Sequence, residues 1–331
     1  MDGAWNPQRI LEEALAFQTS RLLLTAADLD LFTHLSHQPR SAKEVCAALG
    51  LDPRATAVFL HALVALGVLE EGPIGFLTPE GLTPWLSSGS EESVLPMLRH
   101  AASLWKRWGD LTGVLRRGHP EDLGSWTERG PEERDAFIRA MHAIGRKMAA
   151  DIVGSIPLEG VRRLLDVGGA SGTYTIAFLQ ASPDLRATLL DLPPVIPLAR
   201  EQLERCGLME RVDLVAADFE RDPLPPGHDM AFLSAIIHQN DRAQNRALFR
   251  KVRDGLVPGG RIVIRDHVME PSRNGPVAGA IFAVNMLVGT RGGSTYTFEE
   301  LVEDLRASGF ERVEWIRKGA RMDSLVVAVR V

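Results

Sequence analysis

The run Arg163-Leu164-Leu165-Asp166-Val167-Gly168-Gly169-Ala170-Ser171-Gly172 decides how the second half of this 331-residue chain reads. A short apolar strand ends in an acid and a valine, three glycines follow within five positions, and a helical pattern begins at Thr173. Glycines let backbone approach a ligand closely at the carboxyl end of a strand, where open α/β sheets bind their ligands. A nucleotide is implied. The spacing is neither Gly-x-Gly-x-x-Gly nor a loop ending in Lys-Ser/Thr, so the dinucleotide and phosphate-loop readings are the weaker ones.

Short runs rich in Val, Ile and Leu recur around this turn, at Arg163–Val167, Ala187–Leu190, Val212–Val215, Met230–Leu233 and Arg261–Ile264, and alternate with helical segments. Such a pattern predicts a parallel sheet covered by helices on both faces. Two further strands, near Arg312–Ile316 and Ser324–Val329, are separated by few residues and should pair as a hairpin, giving the sheet an antiparallel edge. Acids stand at three successive strand ends, beginning with Asp166. Asp191 follows Gly172 by 19 residues, where a carboxylate can accept both hydroxyls of a ribose. Asp218-Phe219 follows the third strand and offers an acceptor for an adenine amino group beside a ring that can stack on the base.

The first half reads differently. Apolar residues recur at helical spacing from Ile10 to Leu35; Ser41 precedes Glu44 in a capping-box pattern, and Gly50 stops the short helix that follows. A second helix runs from Pro53 to Leu66, and Val68–Glu71 with Ile74–Thr78 flank Gly72-Pro73 as a small hairpin. This is a winged-helix outline, which raises DNA binding as a function. Phosphate neutralisation needs basic residues, yet Pro53–Thr78 holds one arginine, Arg54, and no lysine. Residues 1–80 carry five Lys/Arg against ten Asp/Glu, a balance of −5 within a net charge of −6, which opposes a nucleic-acid partner. Residues 92–150 look helical, with Trp105, Trp108, Trp126, Phe137 and Met141 spread through them. The expected domains are a winged-helix-like segment over 1–90, a helical linker and pocket segment over 91–155, and a cofactor-binding domain over 156–331.

Composition sets outer limits. With 45% hydrophobic and 24% charged residues the chain is an ordinary globular protein. No apolar run reaches membrane-span length and the N-terminus lacks a signal-peptide pattern, so a cytoplasmic location without membrane partners is expected. Two cysteines, Cys46 and Cys206, fit neither a disulfide framework nor a thiolate metal site, and no metal is expected.

Asp166-Val167-Gly168-Gly169, Leu190-Asp191-Leu192-Pro193, Ala217-Asp218-Phe219, His238 and Pro258-Gly259-Gly260 occur in an order that resembles the small-molecule O-methyltransferases. That family includes the caffeic-acid and hydroxyindole enzymes and bacterial polyketide-tailoring relatives. The resemblance implies a Rossmann-like α/β methyltransferase domain binding S-adenosyl-L-methionine, released as S-adenosyl-L-homocysteine, behind a mainly helical dimerisation domain that makes a homodimer. It places cofactor contacts at Gly168, Gly169, Asp191, Leu192, Asp218, Phe219 and Ser234. His238 matches the general base, work suited to an imidazole, and Asp266 matches the acid that orients it.

Three positions depart from the family. Thr295 stands where a second, glutamate acid would flank the histidine, Ser234 where plant members carry lysine, and Gln239-Asn240 where an Asp-Trp pair is common. These departures keep C-methylation, decarboxylation, hydroxylation and rearrangement in view as alternatives on the same cofactor. A ligand-sensing regulator and a Rossmann dehydrogenase are the readings from other classes. Trp105, Phe137, Met141, Phe282, Asn285 and Met286 are carried as an acceptor-pocket group, able to sandwich a flat apolar molecule with one orienting hydrogen bond.

Overall fold

The computed structural model describes residues 4–90, 92–121 and 130–331; Trp126 lies outside them. The chain forms two compact units, one of Met1–Lys106 with Arg129–Ala143, the other of Arg107–Glu128 with Ile144–Val331.

In the first unit the long helical pattern breaks in two. α1 (Pro7–Asp28) starts on an Asn6 cap with Pro7 in its first turn, and α2 (Leu31–His34) follows a left-handed Asp30. Aspartate tolerates that conformation, and here its carboxylate accepts from Thr33 Oγ1 at 2.7 Å and pairs with Arg99 at 2.9 Å. The Ser41–Glu44 capping box is present at the start of α3 (Ala42–Leu49), with Gly50 left-handed at its end. Asp52 caps α4 (Pro53–Ala65), after which β1 (Glu70–Gly72) and β2 (Gly75–Leu77) pair antiparallel. Arg40 bridges Phe76 across this hairpin so closely that a Cβ on Gly75 would lie 2.3 Å from the Arg40 carbonyl oxygen. Phe32, Leu35, Leu60, Leu63, Leu69 and Phe76 fill the core beneath. The chain continues through α5 (Thr83–Leu86), α6 (Leu95–Gly109), α7 (Leu111–Arg117), α8 (Pro131–Gly145) and α9 (Ala149–Gly154).

The second unit is built on a seven-stranded sheet. β3 (Arg163–Val167) leads to α10 (Thr173–Ala181), β4 (Arg186–Asp191) to α11 (Ile196–Arg205), and β5 (Val212–Ala216) to β6 (His228–Ser234). α12 (Arg242–Gly255) precedes β7 (Leu256–Asp266), which starts five residues earlier than the apolar run suggested and takes Pro258-Gly259-Gly260 into its first half. After β8 (Val268–Met269), α13 (Val277–Gly289), β9 (Tyr296–Thr297) and α14 (Phe298–Arg306), the chain ends in β10 (Phe310–Arg317) and β11 (Ser324–Arg330). The order is β10-β11-β7-β6-β3-β4-β5. β7, β6, β3, β4 and β5 are parallel, while β11 runs antiparallel to both β7 and β10, so the expected terminal hairpin forms the edge.

Burial on both faces explains the near-continuous apolar strands. One face holds Val167, Leu233, Ile264 and Val326 under α12 and α14; the other holds Leu164, Phe232, Val263 and Leu325 under α10. Phe232, on the central β6, meets Phe178 edge-on at 5.1 Å and Tyr174 at 5.3 Å. Replacing it with alanine opens a cavity that neighbouring strands cannot close. Phe232→Ala should cost about 3–5 kcal/mol, read as a lower urea midpoint with an unchanged slope.

Candidate active site

The carboxyl ends of β3, β4, β5, β6 and β7 gather most of the residues singled out in the sequence. Gly168, at φ +69°, donates its N–H to Leu190 O at 2.8 Å, which folds the glycine turn across the end of β4. A side chain is disfavoured at Gly168 by its positive φ, and a Cβ on Gly169 would sit 2.7 Å from Leu189 Cγ and 2.9 Å from the Asp166 carboxylate. Ala170 and Ala235 both take positive φ, 49° and 59°, an unfavourable state for alanine held in place at the ends of β3 and β6.

Asp191 accepts from Ala170 N at 2.8 Å through one oxygen and from Leu192 N at 2.7 Å through the other. Each oxygen keeps a lone pair for a further donor, which suits a pair of neighbouring hydroxyls. Burial pushes its pKa up to about 6 against those two N–H groups. Ala217 N donates to Asp191 O at 2.9 Å, bringing Asp218-Phe219 alongside. Phe219 would touch a Gly168 Cβ at 3.4 Å, while Asp218 accepts from Glu220 N at 2.9 Å and lies 3.5 Å from Arg221. These residues fit an adenosine: a glycine turn admitting close approach, a carboxylate with spare lone pairs, and an acid beside an aromatic ring.

His238 sits in a 3-10 turn (Ile237–Gln239) after β6. Its Nδ1 lies 2.9 and 3.0 Å from the two carboxylate oxygens of Asp266, the last residue of β7. An ionised carboxylate only accepts, so Nδ1 carries the hydrogen and Nε2 keeps its lone pair. Asp266 is 1% exposed. Burial alone would raise its pKa, but the attraction and hydrogen bond of His238 together with the His267 N–H at 2.8 Å outweigh it and hold the group below the usual carboxylate value. The turn is clamped from below: Asn245 Nδ2 donates to Ile237 O at 2.9 Å, Asn240 Nδ2 donates to Asn245 Oδ1, and the Tyr296 hydroxyl donates to Asn240 O. Ser294 N donates to His238 O, and Gly293 packs so tightly that a Cβ would stand 2.5 Å from that same carbonyl oxygen.

Phe282 of α13 lies between two histidines, edge-on to His238 at 4.8 Å and tilted against His267 at 4.8 Å. Asn285 Oδ1 accepts from Trp108 Nε1 at 3.0 Å, which leaves its amide N–H groups to donate elsewhere, and Met286 is buried on the same helix. Trp105, Phe137 and Met141 belong to the first unit, where Arg21 lies over the Trp105 ring at 5.3 Å and His100 meets Phe137 edge-on at 4.9 Å. Thr295 is buried with its hydroxyl 3.4 Å from Gly279 O, and Glu300 is taken up by Arg273 and its own helix cap. The sequence reading passed over His267, Arg265, Asn245 and Tyr296. His267 and Arg265 flank Asp266 directly, and charged or titratable residues at a strand end beside a matched acid were the signal available. Among the described residues no cluster of three or more acids, histidines or cysteines could hold a metal ion, and no helix is long and apolar enough to cross a membrane.

Asp166, beneath the glycine turn, accepts from Thr175 Oγ1 at 2.5 Å and is pushed up to about 7 by burial, with the Asp191 charge adding to the rise and the Thr175 bond opposing it. A folded-state pKa above the unfolded value near 3.8 stabilises the fold below that value and loses this contribution as pH rises through 7. Asp166→Asn should therefore flatten the decline in melting temperature between pH 5 and 8 relative to the wild type.

Residues 11–78 match the O-methyltransferase dimerisation domain and residues 114–311 the O-methyltransferase domain. The 3-hydroxy-5-methyl-1-naphthoate 3-O-methyltransferase of Streptomyces sahachiroi is 32% identical over 94% of this chain and 91% of its own length. The tetracenomycin polyketide synthesis 8-O-methyl transferase TcmO of Streptomyces glaucescens is 31% identical over 93% and 92%. Among solved structures, PigF with SAH superposes with a TM-score of 0.89 at 24% identity, covering 98% of this chain and all of that one. With two domain matches in family order and relatives aligned over nearly the whole length, the chain belongs to the S-adenosylmethionine-dependent O-methyltransferase family.

Proposed function

We propose that this enzyme methylates a hydroxyl of a small aromatic or polyketide-like metabolite of secondary metabolism, with His238 as general base and Asp266 as the group that orients it. The observation that carries the reading is the buried His238–Asp266 pair at the end of β7, with Nε2 as the proton acceptor. S-adenosylmethionine supplies an activated methyl group whose sulfur is already a good leaving group. His238 then has one task, to take the acceptor's hydroxyl proton. Asp266, already ionised, stabilises the positive charge that develops on the ring.

Gly168, Gly169 and Leu192 give the cofactor backbone contact, Asp191 takes its ribose hydroxyls, and Asp218 with Phe219 takes its adenine. Phe282, Asn285 and Met286 on α13 are the acceptor-pocket candidates of the second unit, and Trp105, Phe137 and Met141 are those of the first. Two of the relatives carry O-methyl activity on naphthoate or polyketide frameworks, which favours oxygen over the alternative chemistries.

The working unit is a homodimer formed through the winged-helix-like first domain, in the cytoplasm. The domain division at 1–90, 91–155 and 156–331 goes with this: the first segment pairs, the second contributes to the pocket. Leu11 and Leu15 are 60% and 51% exposed on α1, and Ile10 and Phe17 are exposed beside them. An apolar helix face of this extent in an acidic domain suits a protein partner. Leu11→Asp with Leu15→Asp should shift sedimentation from dimer to monomer.

His238→Ala should lower turnover of a hydroxynaphthoate by roughly 10²–10⁴-fold. Calorimetric affinity for S-adenosylhomocysteine should stay unchanged in that variant; its loss would mean that His238 serves the cofactor and not the proton. The product mass should show a gain of one methyl.

A further inference from the structure

Arg265 is the next-to-last residue of β7 and 6% exposed, yet no carboxylate lies in ion-pair range of it among the described residues. A guanidinium has five N–H donors. Nη1 donates to Ser234 Oγ at 2.9 Å, Nη2 reaches the Met148 sulfur at 3.3 Å, and Nε has no partner. The cation lies 4.9 Å over the ring of Tyr174, whose buried hydroxyl also lacks a partner. Burying a cation with donors unfilled is expensive and makes sense when an anion joins it in the working state.

The surroundings specify the anion. Successive strand residues face opposite sides of a sheet, so Arg265 and Asp266 point apart, Asp266 to His238 and Arg265 to α10. In register, Arg265 is beside Ser234, and Leu233 is beside Val167, so Ser234 stands level with the glycine turn. Tyr174 occupies the first turn of α10, whose N-terminus favours negative charge. Because Ser234 Oγ accepts from Arg265, the Ser234 O–H is left to donate, and its best acceptor is an anion. Resting on the cofactor reading above, we propose that Arg265 is a positioning residue that orients Ser234 and supplies the positive charge for the carboxylate on the amino-acid portion of S-adenosylmethionine.

The test compares calorimetric binding of S-adenosylhomocysteine with that of its carboxamide, which keeps the adenosine, sulfur and amine but loses the charge. Wild-type protein should bind the carboxylate at least about tenfold more tightly. Arg265→Met should bring the two affinities together, with the carboxamide value held, and Arg265→Lys should recover part of the difference. Equal binding of both compounds by the wild type overturns this proposal alone and needs no variant to fold. Equal weakening of both by Arg265→Met overturns it too, since a merely structural role predicts that result. If the wild type binds neither, the cofactor reading falls and takes this proposal with it.

Discussion

A carboxylate removed from water at the end of a central strand must be paired or neutralised, and Asp266 is paired. Its two oxygens meet His238 Nδ1, and one of them also accepts the His267 N–H. Much of the neighbouring structure keeps that arrangement in place. The turn bearing His238 is tied to α12 by Asn245, capped by the Tyr296 hydroxyl, and covered by Gly293 and Ser294. None of these groups needs to touch a substrate. Each removes a way for the imidazole to rotate off its acid, which is the condition for leaving a proton acceptor on Nε2.

At the same strand end neighbouring side chains diverge. Asp266 faces the α12 and α14 side and Arg265 the α10 side, so a carboxylate and a guanidinium one residue apart do not neutralise each other as an ion pair. The glycine turn lies level with them on β3. Its geometry favours glycine at Gly168 through a positive φ and at Gly169 through close packing against Leu189 and Asp166. Two acids below it, Asp166 and Asp191, are both raised by burial, and the Asp191 charge adds to the rise at Asp166. Such strain in charge and backbone gathers where a fold keeps a place for a bound group.

What could be read in advance follows from locality. The five parallel strands, the terminal hairpin, the Ser41–Glu44 box and the acids at 191 and 218 are written in runs of a few residues, with glycine, proline and acids marking the ends of near-continuous apolar stretches. The break between α1 and α2 was not legible, since a left-handed aspartate leaves the apolar spacing intact on both sides. Nor was the early start of β7, where Pro258-Gly259-Gly260 reads as a turn and lies in the irregular stretch between the Leu256–His228 and Arg261–Met230 pairs. Contacts made by topology alone were hidden as well: Tyr296 reaches Asn240 across 56 residues, and Arg265 reaches Met148 across 117. His267 adjoins the matched acid in sequence, yet its place against Phe282 depends on where α13 returns.

Thr295 shows what a missing acid does and does not imply. A glutamate at this buried position would add a second carboxylate removed from water, with another desolvation penalty to overcome. Threonine puts a small hydroxyl against Gly279 instead, and the nearby Glu300 is spent on Arg273 and the Thr297 cap. The imidazole is held by one bifurcated carboxylate contact, with the Phe282 ring standing at 87° to it. One acid fixes the tautomer and the aromatic edge limits tilting, so the second acid is dispensable for geometry.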